Sequence, residues 1–222
     1  MKPFGWSENS WFENLELSFS ASFGDEDGGT PAAYVSPGQQ SLNTYRTGVI
    51  ADGLRVRLNP QLKWYAGPFS LLGEYVVSRQ RLQAPGGAAT ADHRAWYVSF
   101  GYVLTGEDAT WRGVTPAAPL DLEAGTWGAV EVLVRVHRLH LDEGGVSSGV
   151  NANDGASWTD PWRAPRDATA WGLAVQWYWS RNLKLVNAYE RTDFRDGAGA
   201  NRATVADRET EHVLLSRLQI SY

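Results

Sequence analysis

The chain contains no cysteine and a single methionine. Without thiols it can form neither a disulfide framework nor a thiolate metal site. It has no apolar run of about 18 residues, so no transmembrane helix is expected. Its first residues, Met1-Lys2-Pro3-Phe4-Gly5-Trp6-Ser7-Glu8, lack the apolar stretch of a secretory signal. An exported protein carries one before processing, so the chain reads as processed or as lacking its beginning. Positive charge is not in surplus: 20 Lys and Arg stand against 25 Asp and Glu, a net −5, which argues against a nucleic-acid binder. Histidine is scarce. His137 and His140 lie three apart, which on a strand puts them on opposite faces and leaves no metal pair. No nucleophile elbow, phosphate loop or metalloprotease His-Glu pair occurs, so neither an enzyme nor a cofactor is expected.

What the chain has is aromatic residues, glycine and alternation. It holds 11 Trp, 9 Tyr, 7 Phe and 23 Gly. The mean hydropathy of −0.36 resembles that of a soluble protein. A membrane barrel has the same average, because half of each strand faces water. From Leu54 to Ala66 one face reads Leu54, Val56, Leu58, Pro60, Leu62 and Trp64; the other reads Arg55, Arg57, Asn59, Gln61, Lys63 and Tyr65. Period two over that length predicts a strand long enough to cross roughly 30 Å of hydrocarbon when tilted. Gly67-Pro68 turns the chain into a second strand, Phe69 to Leu82. Further strands are expected over 11–23, 94–104, 127–139, 171–179, 183–194 and 211–222, about eight in all; the facing of 183–194 stays open. Long polar loops are expected at 24–43, 84–92, 140–168 and 195–209. They fall on one end, and the tight turns on the other, with 105–126 the exception. Short periplasmic turns and long external loops build outer-membrane barrels.

Charged residues gather on the polar faces. Arg55, Arg57, Lys63, Arg135 and Arg217 would point into a lumen if the apolar faces meet lipid. Such cations lower the barrier for anions and suit phosphate-like oxyanions. The plainer reading is that any water-filled lumen needs some charge, offset by Glu74 and Glu131. Those two carboxylates also invite comparison with a glycosidase pair. Trp158 and Trp162 could stack on sugars, fill a folded loop or sit in an interfacial belt.

Several pieces in order resemble the phosphate-selective porin O and P family. They are Ala51-Asp52-Gly53-Leu54-Arg55, Gly67-Pro68-Phe69-Ser70-Leu71-Leu72-Gly73-Glu74-Tyr75, Gly101-Tyr102-Val103-Leu104-Thr105-Gly106-Glu107 and Gly125-Thr126-Trp127-Gly128-Ala129-Val130-Glu131. Trp177-Tyr178, the Asn182 turn with Asn187-Ala188-Tyr189, and a leucine-rich last strand ending in Tyr222 complete the set. The resemblance covers about residues 44 to 222. It implies an all-β, antiparallel, sixteen-stranded transmembrane barrel of the bacterial outer membrane, usually a homotrimer, that passes phosphate or related anions. It also implies that Glu74, Glu131 and Arg135 are lumenal. Family members are about twice this length, so residues 1–222 read as one barrel domain, the C-terminal portion of a longer porin. The family's constricting loop and decisive cations belong to the other half.

The expected function is an outer-membrane porin for small anions. Two alternatives stand beside it. A closed eight-stranded barrel, with Tyr65, Tyr97 and Tyr178 filling its interior, would anchor or adhere rather than conduct. A soluble Trp-rich sandwich would bind carbohydrate.

Overall fold

A computed structural model describes residues 10–84, 87–142 and 158–221. A short 3-10 turn at Ser10–Phe12 leads into nine strands: β1 (Glu16–Gly29), β2 (Ile50–Ala66), β3 (Phe69–Ala84), β4 (Gly87–Val103), β5 (Ala129–His140), β6 (Pro165–Tyr178), β7 (Leu183–Ala198), the two-residue β8 (Ala206–Asp207) and β9 (Glu211–Ile220). All neighbours are antiparallel, in the order β1 to β7, with both β8 and β9 on β7. Eight of the nine are long; β2 and β4 reach 17 residues each, enough to cross a bilayer at a tilt. Among the described residues no ladder joins β1 to β9, so the sheet is open. No described helix is long and apolar enough to cross a membrane.

The alternation read in the sequence becomes a two-faced sheet. One rung crosses every long strand in register: Ser18, Gln61, Glu74, Tyr97, His137, Ala170, Thr192, Glu211. The next set of side chains points the other way: Leu17, Leu62, Gly73, Val98, Val136, Trp171. On that second face large hydrophobic residues stand open, Phe23 at 80% and Leu214 at 77% exposure among them. So large an uncovered apolar area belongs against lipid. Aromatic residues mark both margins of the apolar band. At the tight-turn end, Trp64 Nε1 donates to the Trp11 carbonyl and Trp177 Nε1 to the Trp127 carbonyl, each at 2.6 Å. At the other end lie Tyr75, Trp96, Trp171 and Tyr189.

The chain folds over the polar face at both ends, and these folds make the buried clusters. At one end Tyr45 and Trp158 pack on Val49, Ala51, Leu82, Ala84 and Ala91. Beside them Leu42 packs on Leu141, Ala168 and Phe194. At the other end Ala109 and Val114, from the link between β4 and β5, pack on Val103, Ala129 and Tyr178, with Tyr65 alongside.

Several boundaries differ from the sequence reading. The loop expected at 84–92 is mostly strand: residues 87–92 pair with 79–84 without a break. Gly87-Ala88-Ala89-Thr90-Ala91 has poor strand propensity, but Ala89 and Ala91 are small where Trp158 and Leu82 crowd the polar face. The loop expected at 24–43 starts later, because β1 runs on to Gly29. Likewise β6 starts at Pro165 and β7 runs to Ala198. Residues 143–157 of the loop expected at 140–168 lie outside the described residues, as do 1–9, 85–86 and Tyr222. Long and short connections therefore mix more than expected, with one exception at each end of the sheet.

Candidate functional site

The polar face is the candidate site, and period-two spacing builds it. Arg55, Arg57 and Lys63 come from β2, Glu74 from β3, Glu131 and Arg135 from β5, and Arg217 from β9, all on the face that the terminal folds cover. Arg55 Nη1 lies 2.9 Å from Glu26 Oε1. Lys63 Nζ lies 3.8 Å from Glu16 Oε1, a long and water-exposed pair. Arg57 stands exposed, in register with Ser22 and Ser78. The Arg135 guanidinium sits over the Tyr97 ring, 4.7 Å from its centroid. Such a stack holds the cation in place without neutralising it.

The ladder also fixes the facing of β7. Lys184, Val186, Ala188, Glu190 and Thr192 share the polar face with Arg217; Leu185, Asn187, Tyr189 and Arg191 take the other. Lys184 and Glu190 thus join the site, and the sequence reading missed both. The cause is the outward Asn187, Arg191 and Asp193, which blur the alternation. Lys184 Nζ donates to Gln176 Oε1 at 2.6 Å and lies 4.8 Å from the Tyr178 ring centroid. In register beside it runs Gln219, with Arg217 next on the same face. Glu190 bonds His137.

The acids of this face are engaged by donors. Glu131 is buried and accepts from the Tyr178 hydroxyl at 2.8 Å. Glu74 accepts from Asn59 Nδ2 at 2.6 Å. Glu211 accepts from the Ser36 hydroxyl at 2.8 Å and from the Gly38 N–H at 3.1 Å. Arg135, Lys184 and Arg217 make no ion pair among the described residues.

Two comparisons drawn from the sequence fail geometrically. Glu74 is level with Tyr97 on β4, and Glu131 is level with Val103. At about 3.3 Å per residue those rungs are roughly 20 Å apart along the strand, beyond the span of a glycosidase pair. Trp158 is no sugar platform: it is 4% exposed, and its Nε1 donates to the Asp142 carbonyl at 3.0 Å. His137 and His140 do take opposite faces, His140 bonding Asp167. No group of three or more His, Asp or Glu suited to a metal occurs among the described residues.

In the connecting segments, Tyr45 and Glu107 are among the shifted titratable groups. Burial pushes the Tyr45 hydroxyl from 10.0 up to about 12, against a lowering hydrogen bond with Asn43. Partial burial would raise Glu107, but hydrogen bonds from the Thr105 hydroxyl and the Ala117 N–H outweigh it and hold the carboxyl below its usual range.

A model of the family described as phosphate-selective porin O and P matches residues 13–222. The match reaches about thirty residues further toward the N-terminus than the resemblance read from the motifs, and so takes in β1. A comparison with curated proteins finds no match.

Proposed function

Because the chain belongs to the phosphate-selective porin O and P family, whose members are outer-membrane β-barrel porins rather than enzymes, we propose that its polar face lines a channel for small anions. The substrates are phosphate or related oxyanions. Arg55, Arg57, Lys63, Arg135 and Arg217 face the permeating ion, joined by Lys184; Glu74 and Glu131 are lumenal acids. One observation carries this reading. On a face where Lys and Arg are matched by as many Glu, Glu16 and Glu26 pair with Lys63 and Arg55, the carboxylates of Glu131, Glu74, Glu211 and Glu190 are turned to Tyr178, Asn59, Ser36 and His137, and Arg135, Lys184 and Arg217 keep N–H groups to offer. Donors that replace part of an ion's hydration favour anions over cations.

The barrel is proposed to have sixteen strands, of which this chain supplies the second half as one domain. The open edges at β1 and β9 support that reading over a closed eight-stranded barrel, since unpaired strand edges are unfavourable in lipid. The homotrimer implied by the resemblance belongs to the same proposal, and mass measurement of the detergent-solubilised protein tests it.

Planar-bilayer recording in a salt gradient is the experiment. Stepwise channels with an anion-favouring reversal potential are expected. Arg135→Gln/Lys184→Gln/Arg217→Gln should move the reversal toward zero selectivity, with Arg55→Ala/Arg57→Ala adding to the loss. Channels with unchanged selectivity in these variants would overturn the assignment of the cations.

A further inference from the structure

On the outward face every long strand changes character at the same end. β3 runs Leu71, Gly73, Tyr75, Val77 and then turns to Arg79; β4 runs Phe100, Val98, Trp96 and then Arg94. β5 passes from Val136 to Arg138, and β7 from Tyr189 to Arg191. The change steps along the ladder: Val77 is level with Arg94, Trp96 with Arg138, Trp171 with Arg191. A staircase is what tilted strands need if the four arginines are to share one height in the membrane. That height lies just beyond the apolar band, past Tyr75, Trp96, Trp171 and Tyr189, where headgroups begin.

These arginines are only partly neutralised. Arg79 and Arg94 share one acid, Asp92, at 2.8 and 3.1 Å. Arg138 and His140 share Asp167, at 2.8 and 3.0 Å. In both shared clusters the cations are the more exposed partners: 61% for Arg79 against 19% for Asp92, and 45% for Arg138 against 7% for Asp167; Arg191 pairs with Asp193 alone, at 2.8 Å, with both half exposed. Asp92 and Asp167 are tucked against the sheet and hold their cations outward, leaving guanidinium edges facing the lipid. On β1 and β2 the same height is acidic, with Asp25, Asp27 and Asp52, and β6 carries Thr169 there, so the cations of the belt come from β3, β4, β5 and β7.

We propose that this belt binds the phosphate groups of lipid headgroups in the leaflet at the long-loop side, the outer leaflet. The occupant is a phosphorylated membrane lipid: the belt faces away from the lumen, adjoins surface that must meet acyl chains, and offers planar donors that match phosphate oxygens in pairs. Charge complementarity and continuity with the apolar band favour it over a protein partner.

The test is lipid retention by the detergent-solubilised protein, read by native mass spectrometry. Lipid A carrying both phosphates is compared with the same lipid dephosphorylated. The phosphorylated form should be retained about tenfold more tightly, from roughly a factor of five for each arginine that engages a phosphate, partly offset by Asp92 and Asp167. Equal retention of the two forms would overturn the proposal, and needs no variant. Arg79→Gln/Arg94→Gln/Asp92→Asn removes two guanidiniums with their shared acid, and Arg191→Gln/Asp193→Asn removes a second site; each should narrow the difference severalfold. Unchanged retention in both would also overturn it. Inorganic phosphate added at the lipid's concentration should not displace the lipid; full displacement would mean a free-anion site instead.

Discussion

Gly128 immediately precedes β5 with φ +72, and a Cβ there would run into the Tyr178 carbonyl on the neighbouring strand. Gly128→Ala should therefore cost about 1–3 kcal/mol, read as a lower denaturant midpoint in detergent. Tyr178 itself covers Glu131 with its hydroxyl. Tyr178→Phe leaves a buried carboxylate short of a donor, for a loss of about 1–3 kcal/mol in the same measurement. Tyr45 makes a prediction about pH. Its folded pKa, about 12, lies above the ordinary 10.0, so the neutral hydroxyl is favoured in the folded state. The stability this contributes is complete below pH 10 and drains away as pH climbs from 10.0 to about 12. Thermal midpoints across that window should fall in the wild-type protein and fall less in Tyr45→Phe.

At the scale of elements, a strand here is held less by its own propensity than by which face meets lipid. Phe100 and Val134 are register partners on the outward face of β4 and β5. Phe100→Arg or Val134→Arg should destabilise by about 2–4 kcal/mol if they lie near the bilayer midplane, whereas Ser20→Arg on the polar face of β1 should cost far less. Unfolding from lipid vesicles in urea compares the three. The same contrast explains what could be read in the sequence. β2 and β5 are plain, because Leu54–Trp64 alternates between apolar and polar residues and Val130–Val136 does so apart from Leu133. Residues 87–92 are not, because alanine carries no facing signal of its own, and only the distant Trp158 explains why alanine fits there. The facing of β7 stays open in the sequence because Asn187, which bonds Ser216 on the lipid face, leaves polar residues on both faces of the strand. The candidate site divides in the same way. Arg55, Arg57, Lys63 and Arg135 stood out on clean strands, while Lys184 and Glu190 needed the register.

At the scale of the whole molecule, the segment between β1 and β2 reaches across the sheet to its far side. Ser36 and Gly38 bond Glu211, and Ser41 accepts from Arg208 Nη1 at 2.9 Å. Glu211→Gln weakens the charge-assisted part of this bridge, and limited proteolysis should then cut residues 30–49 several times faster, with the strands unaffected. The bridge also sets an order of events in time. Its partners are 175 residues apart in the chain, so they cannot meet until β9 has zipped onto β7. Contacts of such sequence separation form slowly. The mouth of this protein is therefore finished last, and refolding should produce the complete ladder before it produces a protected rim.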